Sequence, residues 1–150
     1  MVGDRKPIAV VISPFEERNG QFSPDGRWVA YQSNVTGRFE IYVQPFPGPG
    51  GKWQVSTAGG TFPRWRADGK ELFFIAPNAK LMSASVNTSQ STFEAASPAA
   101  LFQTRIVTGG LAALQTQYAV SRDGRFLINT QVAESNTTPI TLILNWKPKP

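Results

Sequence analysis

The chain has 150 residues, 41% of them apolar and 17% charged, with a net charge of +5, which suits one globular domain able to bury a core. It contains no Cys and no His, which excludes disulfides, thiolate and imidazole metal sites, cysteine nucleophiles and a Ser-His-Asp triad. The cations stand mostly singly, as at Arg27, Arg38, Lys52, Arg64, Arg66 and Lys80, a solubility pattern rather than the continuous track that nucleic acid requires.

At the start, residues Met1 to Pro7 lack the apolar centre of a signal peptide, and the longest apolar run is Ile8 to Ile12. Neither a leader nor a membrane span is expected, and the chain as written should stay where it is made. Pro7-Ile-Ala-Val-Val-Ile12 reads as a strand with no partner nearby. Glu16 and Glu17 follow as a carboxylate pair, but neighbours on a strand point to opposite faces, which argues against a shared acid–base site.

Three segments then align on an Asp-Gly pair. They are Phe22-Ser-Pro-Asp25-Gly26-Arg27, Trp65-Arg-Ala-Asp68-Gly69-Lys70 and Val120-Ser-Arg-Asp123-Gly124-Arg125. Each carries an apolar residue three before the Asp and a cation after the Gly. Asp-Gly between apolar runs predicts a hairpin, with a type I′ turn and positive φ at both central residues. The first unit has strands around Gln21–Ser23, Arg27–Gln32, Arg38–Gln44 and Lys52–Ser56. The second has Phe62–Arg66, Lys70–Ile75, Lys80–Val86 and a strand near Ala99–Phe102. The third has Gln117–Ser121, Arg125–Gln131 and Pro139–Trp146. Asn87 to Ser97 and Thr104 to Gln115 read as the longest loops, with at most one helical turn at Leu111–Gln115.

The fold class is therefore all-β, and the Asp-to-Asp spacings of 43 and 55 residues suit four-stranded propeller blades. We expect three blades at about 20–57, 62–103 and 117–146 in a single domain, with the strand at 7–12 closing the third. Three blades cannot close a ring. Faces carrying Phe73, Phe74, Ile128 and Leu142 would stay open, and two chains forming a six-bladed homodimer by strand exchange would cover them. The rival arrangements are a fragment stable only within a longer chain and an open three-blade arc covered by something else.

The innermost strands of such a ring would present Asn19 and Gln21, Phe62 and Arg64, and Gln117 and Ala119 to the channel. Asn19, Gln21, Arg64 and Gln117 are the candidate ligand-binding residues, with Arg64 as the centre of an anion site. The plainer alternative has Arg64 stacked on Trp65 or paired with Glu71. Asp25, Gly26, Asp68, Gly69, Asp123 and Gly124 read as structural turns in preference to a carboxylate ring for a cation. Trp28, Trp53, Trp65 and Trp146 fall in strands, as core. Neither Gly48-Pro-Gly-Gly51 nor Gly109-Gly110 precedes a helix, so neither reads as a phosphate cradle. No catalytic residue, metal ligand or cofactor is assigned, and a small anion or a protein is the expected partner. A weak hydrolase working through a channel carboxylate or Lys is the alternative.

Phe22-Ser-Pro-Asp-Gly-Arg-Trp-Val-Ala-Tyr31, with Ser33-Asn34, Gly37-Arg38 and Ile41-Tyr42-Val43, resembles the TolB-type, WD-repeat-like propeller repeat. Val43-Gln-Pro-Phe-Pro-Gly48, Lys52-Trp-Gln-Val-Ser-Thr57, Pro63-Arg-Trp-Arg-Ala-Asp-Gly69 and Pro139-Ile-Thr-Leu-Ile-Leu-Asn-Trp146 are similar to the C-terminal propeller region of bacterial receptor-like serine/threonine kinases. The resemblance runs from Gly3 to Trp146. The second and third units depart from it, with Arg66-Ala67 and Ser121-Arg122 in place of Ser-Pro. The chain carries no kinase motif: no Gly-rich loop with its strand Lys, no His-Arg-Asp, no Asp-Phe-Gly. The resemblance thus implies a detached sensor or interaction region without phosphoryl transfer. Such regions usually face the cell envelope, a location the missing export signal does not carry over.

Overall fold

The structure, a computed structural model, describes residues 6–88, 92–106 and 115–130. Those residues form strands and connections and no helix. β1 (Glu17–Phe22), β2 (Trp28–Ser33), β3 (Glu40–Pro45) and β4 (Trp53–Gln54) make an antiparallel sheet in that order. The second sheet runs β5 (Thr61–Trp65), β6 (Glu71–Ile75), β7 (Lys80–Thr88) and β8 (Phe93–Ala95), and β9 (Ala99–Gln103) also pairs with β7. β7 is nine residues long and serves both late strands, β9 along Lys80–Ser83 and β8 along Val86–Thr88. β10 (Tyr118–Val120) and β11 (Phe126–Ile128) form a two-stranded ribbon.

The alternation of side chains along the strands decides the packing. Trp28 and Ala30 of β2, with Ile41, Val43 and Val55, meet Leu72, Phe74, Ala84, Val86 and Phe93 of the second sheet in one core. The intervening residues Phe73 and Ile75 face the other way and pack with Phe62, Leu81, Ile106 and Tyr118, against which Val120, Phe126 and Ile128 of the ribbon rest. First sheet, second sheet and ribbon thus stack face to face, with β1, β5 and β10 in sequence alongside one another. Burial on both faces explains why β2 is closed to solvent along its whole length.

Three expectations need correction. First, the hairpins are not type I′, because only the glycine of each Asp-Gly pair is left-handed, at φ 70°, 72° and 83° for Gly26, Gly69 and Gly124. Each turn is closed by a glycine N–H donating three residues back, to Ser23, Arg66 and Ser121. The carboxylates of Asp25 and Asp68 accept the N–H groups of Arg27 and Lys70 at 3.1 and 3.0 Å, which holds Asp in ordinary backbone geometry while Gly reverses the chain. Second, Asn87 to Ser97 is not a simple loop, since it contains the end of β7 and all of β8. Third, Phe73 and Phe74 are buried rather than on an open face. The exposed large apolar side chains are Ile8, Ile12, Phe15, Phe22, Leu101, Phe102 and Leu127.

Pro7–Ile12 pairs with no described strand of its own chain, and the third-blade strand it is expected to close on lies outside the described residues. Val10 and Val11 instead pack on Val29, Tyr31 and Tyr42 on the outer face of the first sheet, tethered by Gln44 Nε2 donating to the Val10 carbonyl. The strand expected at Pro139–Trp146, with Leu142, the end of the Arg125–Gln131 strand, Gly109-Gly110 and Leu111–Leu114 lie outside the described residues.

Candidate functional site

The first strands of both large sheets carry the same irregularity. β1 breaks register between Arg18 and Gln21, and β5 between Thr61 and Arg64. At the equivalent positions within these breaks, Asn19 and Phe62 take left-handed φ values of 55° and 56°. Such a conformation strains an aromatic residue and persists where surrounding bonds over-determine it. At Phe62 they do. Its N–H donates to Gln32 Oε1 at 2.9 Å and its carbonyl accepts the Tyr118 hydroxyl at 2.7 Å. Gln32 is 1% exposed, and its Oε1 also accepts Asn19 Nδ2 at 2.9 Å. A chain of hydrogen bonds therefore crosses from the first sheet through the second to the ribbon. In the ribbon, Gln117 occupies the position equivalent to Asn19 and accepts Asn129 Nδ2 at 2.9 Å.

This scaffold holds a recess of 370 Å³ lined by Arg64, Thr116, Gln117, Tyr118, Ala119, Leu127 and Asn129. Arg64 is half-buried and is the one charged residue in that lining. It donates to the Pro63 carbonyl at 2.9 Å and the Thr116 hydroxyl at 2.7 Å. The ion pairs of the described residues engage Arg18, Arg27, Arg38, Arg66 and Arg125, and Arg64 takes part in none of them. Loss of water draws its guanidinium below the ordinary arginine value, with Tyr118 opposing. Burial pushes the Tyr118 hydroxyl well up, so it stays a neutral donor to Phe62.

Of the four residues picked out by alignment, Arg64 and Gln117 meet in this recess. Asn19 lies in another, beside Glu17 and Tyr31. Gln21 lines neither: its side chain donates to the adjacent Gly20 carbonyl, and its own carbonyl accepts Trp65 Nε1 at 3.1 Å. The plainer alternatives for Arg64 are not formed. Trp65 turns toward the first sheet, and the partner of Glu71 is Arg66 at 3.0 Å. Thr116, Tyr118 and Asn129 were not singled out; the offset from Asp-Gly that marks Gln117 would have marked its hairpin partner Asn129, one residue nearer the turn than Gln32.

The carboxylates are committed elsewhere. Asp25 is held at about 2, chiefly by the Ser23 hydroxyl at 2.5 Å and with help from Arg27. The Ser121 hydroxyl and Arg125 likewise lower Asp123. Glu16 pairs with Arg18, whereas Glu17 accepts the hydroxyls of Ser13 and Ser33, so the adjacent acids serve separate partners. No cluster of three or more acidic side chains that could hold a metal ion occurs among the described residues. Trp28 is buried, and Trp53 and Trp65 are partly so, as core. Neither the known family models nor the curated proteins compared with the chain match it.

Proposed function

We propose that the chain is a non-catalytic binding module of the β-propeller type, holding a small anion, a carboxylate or a phosphate, at Arg64. The observation that carries this reading is a half-buried guanidinium with no ion-pair partner among the described residues, in a recess whose other polar groups are neutral. Partial burial strengthens the attraction of such a group for an anion. A planar fork of donors suits carboxylate and phosphate oxygens. Thr116 and Asn129 supply neutral polar atoms at the rim.

The repeated strand pattern, the repeated bulge and the face-to-face stacking support three blades of a TolB-type ring. Two such chains would complete six blades, covering the face that bears Leu127, which is 77% exposed. In that assembly two copies of the Arg64 recess share one channel, open to a small ligand or to a protein segment with an acidic side chain. Light scattering tests the assembly: a mass about twice 16.4 kDa is expected, and a stable monomer would overturn the ring. Equilibrium dialysis with radiolabelled inorganic phosphate, and with acetate as competitor, tests the site. Saturable retention that drops at least about tenfold in Arg64→Gln is expected, from the loss of charged hydrogen bonds. Equal retention by the variant would refute it.

A further inference from the structure

We infer that the recess between the N-terminal segment and the first sheet is a second binding site, one that takes an organic ammonium ion: a primary amine on a short apolar body. The recess measures 370 Å³, and Val10, Val11, Phe22, Val29 and Tyr31 give it apolar walls. Its acid is Glu17. One carboxylate oxygen, Oε1, accepts the hydroxyls of Ser13 at 2.7 Å and Ser33 at 3.1 Å. The other, Oε2, is buried and has no hydrogen-bond partner among the described residues. Buried polar atoms are nearly always paired, and a carboxylate oxygen without a donor costs more than a neutral one.

The groups around Glu17 are already occupied. Arg18 lines the recess, but its guanidinium bonds to Glu16 and lies over the Phe39 ring, 5.4 Å from the centroid. Asn19 gives its amide to Gln32, and the Tyr31 hydroxyl donates to Gln44 Oε1 at 3.1 Å. None of the described groups around Glu17 therefore supplies the missing donor. A metal ion would demand several oxygen ligands, and this recess offers one acid among apolar walls. An ammonium group satisfies the site on both counts: its N–H groups meet Oε2 while its carbon chain lies along the valines, and Tyr31 adds an aromatic surface for the cation.

The site is independent of the anion reading at Arg64. Its test is calorimetric titration of the whole chain with n-butylammonium chloride at constant ionic strength, with 1-butanol as the uncharged isostere and valine-methyl NMR to locate the ligand. Butylammonium is expected to bind in one-to-one stoichiometry and to move the methyl signals of Val10, Val11 and Val29. Butanol should bind at least about tenfold more weakly, and Glu17→Gln should reduce butylammonium to the level of butanol. Arg64→Gln should leave both unchanged. No saturable binding, equal affinity for amine and alcohol, or methyl shifts elsewhere on the folded wild-type chain would overturn the inference without recourse to any variant.

Discussion

Phe93 is one of the residues through which the two large sheets share a core. It stands on the three-residue strand β8 and is 2% exposed. Its ring centroid lies 5.6 Å from Trp28, 6.0 Å from Trp53 and 6.4 Å from Trp65. Trp28 and Trp53 belong to the first sheet, Trp65 and Phe93 to the second. Phe93→Ala removes the ring from this junction and leaves a cavity that three rigid indoles cannot close by rotating. Such truncations cost about 3–5 kcal/mol, and three tilted or edge-on aromatic contacts place the value toward the upper end. With a urea dependence of about 2 kcal/mol per molar, the unfolding midpoint should fall by about 2 M. Tryptophan fluorescence is the natural probe, because three of the four Trp residues surround the site. A fall below about 0.5 M would mean the sheets do not depend on this junction, and the stacked-sheet core would be wrong.

Glu40 supplies a second prediction. Its carboxylate is 1% exposed and accepts Arg38 Nε at 2.7 Å, the Gly59 N–H at 2.9 Å and the Ser56 hydroxyl. Arg38 is mostly exposed and water can replace its partner, but Gly59 and Ser56 are buried. Glu40→Ala should therefore cost about 3 kcal/mol by urea unfolding, and a loss under about 1 kcal/mol would contradict the network. Asp25 gives a pH dependence. Its folded value of about 2 lies below the ordinary 3.8, so the stabilisation is complete above about pH 4 and disappears as the pH falls to 2. Exposure limits it to under about 1 kcal/mol. The gap in urea midpoint between wild type and Asp25→Asn should close over that interval; a gap independent of pH would refute the assignment.

The Asp-Gly repeats made the strand order of the first sheet and most of the second legible, because alternating apolar residues and a fixed turn carry enough local information. The turn geometry was not legible, since Asp-Gly is compatible with one left-handed residue or two, and side-chain bonds to Arg27 and Lys70 selected one. β8 was hidden because Phe93-Glu-Ala is too short to show alternation, and its place is fixed by the tryptophans it meets. Phe73 and Phe74 looked like an unpaired face because no sequence pattern shows that a ribbon far along the chain would cover one and the first sheet the other.

The site was half legible. Offsets of six and four residues before the Asp of each Asp-Gly pair brought Gln117 and Arg64 forward, and the fold places them in one recess. The same offsets implied that Asn19 and Gln21 would join them. That failed because Asn19 is drawn to Gln32 and Gln21 folds back on Gly20, both consequences of the bulge in β1. Gln32 and Tyr118, which hold Phe62 from both sides, carry no local signal beyond being polar groups in apolar strands.

The most direct test of the binding reading is an amide NMR titration of the whole chain with inorganic phosphate at fixed ionic strength. Saturable shifts are expected at Arg64, Thr116, Gln117, Tyr118 and Asn129, and these should vanish in Arg64→Gln. Shifts confined to the exposed turns bearing Arg27, Arg66 and Arg125, or rising without saturation, would contradict it.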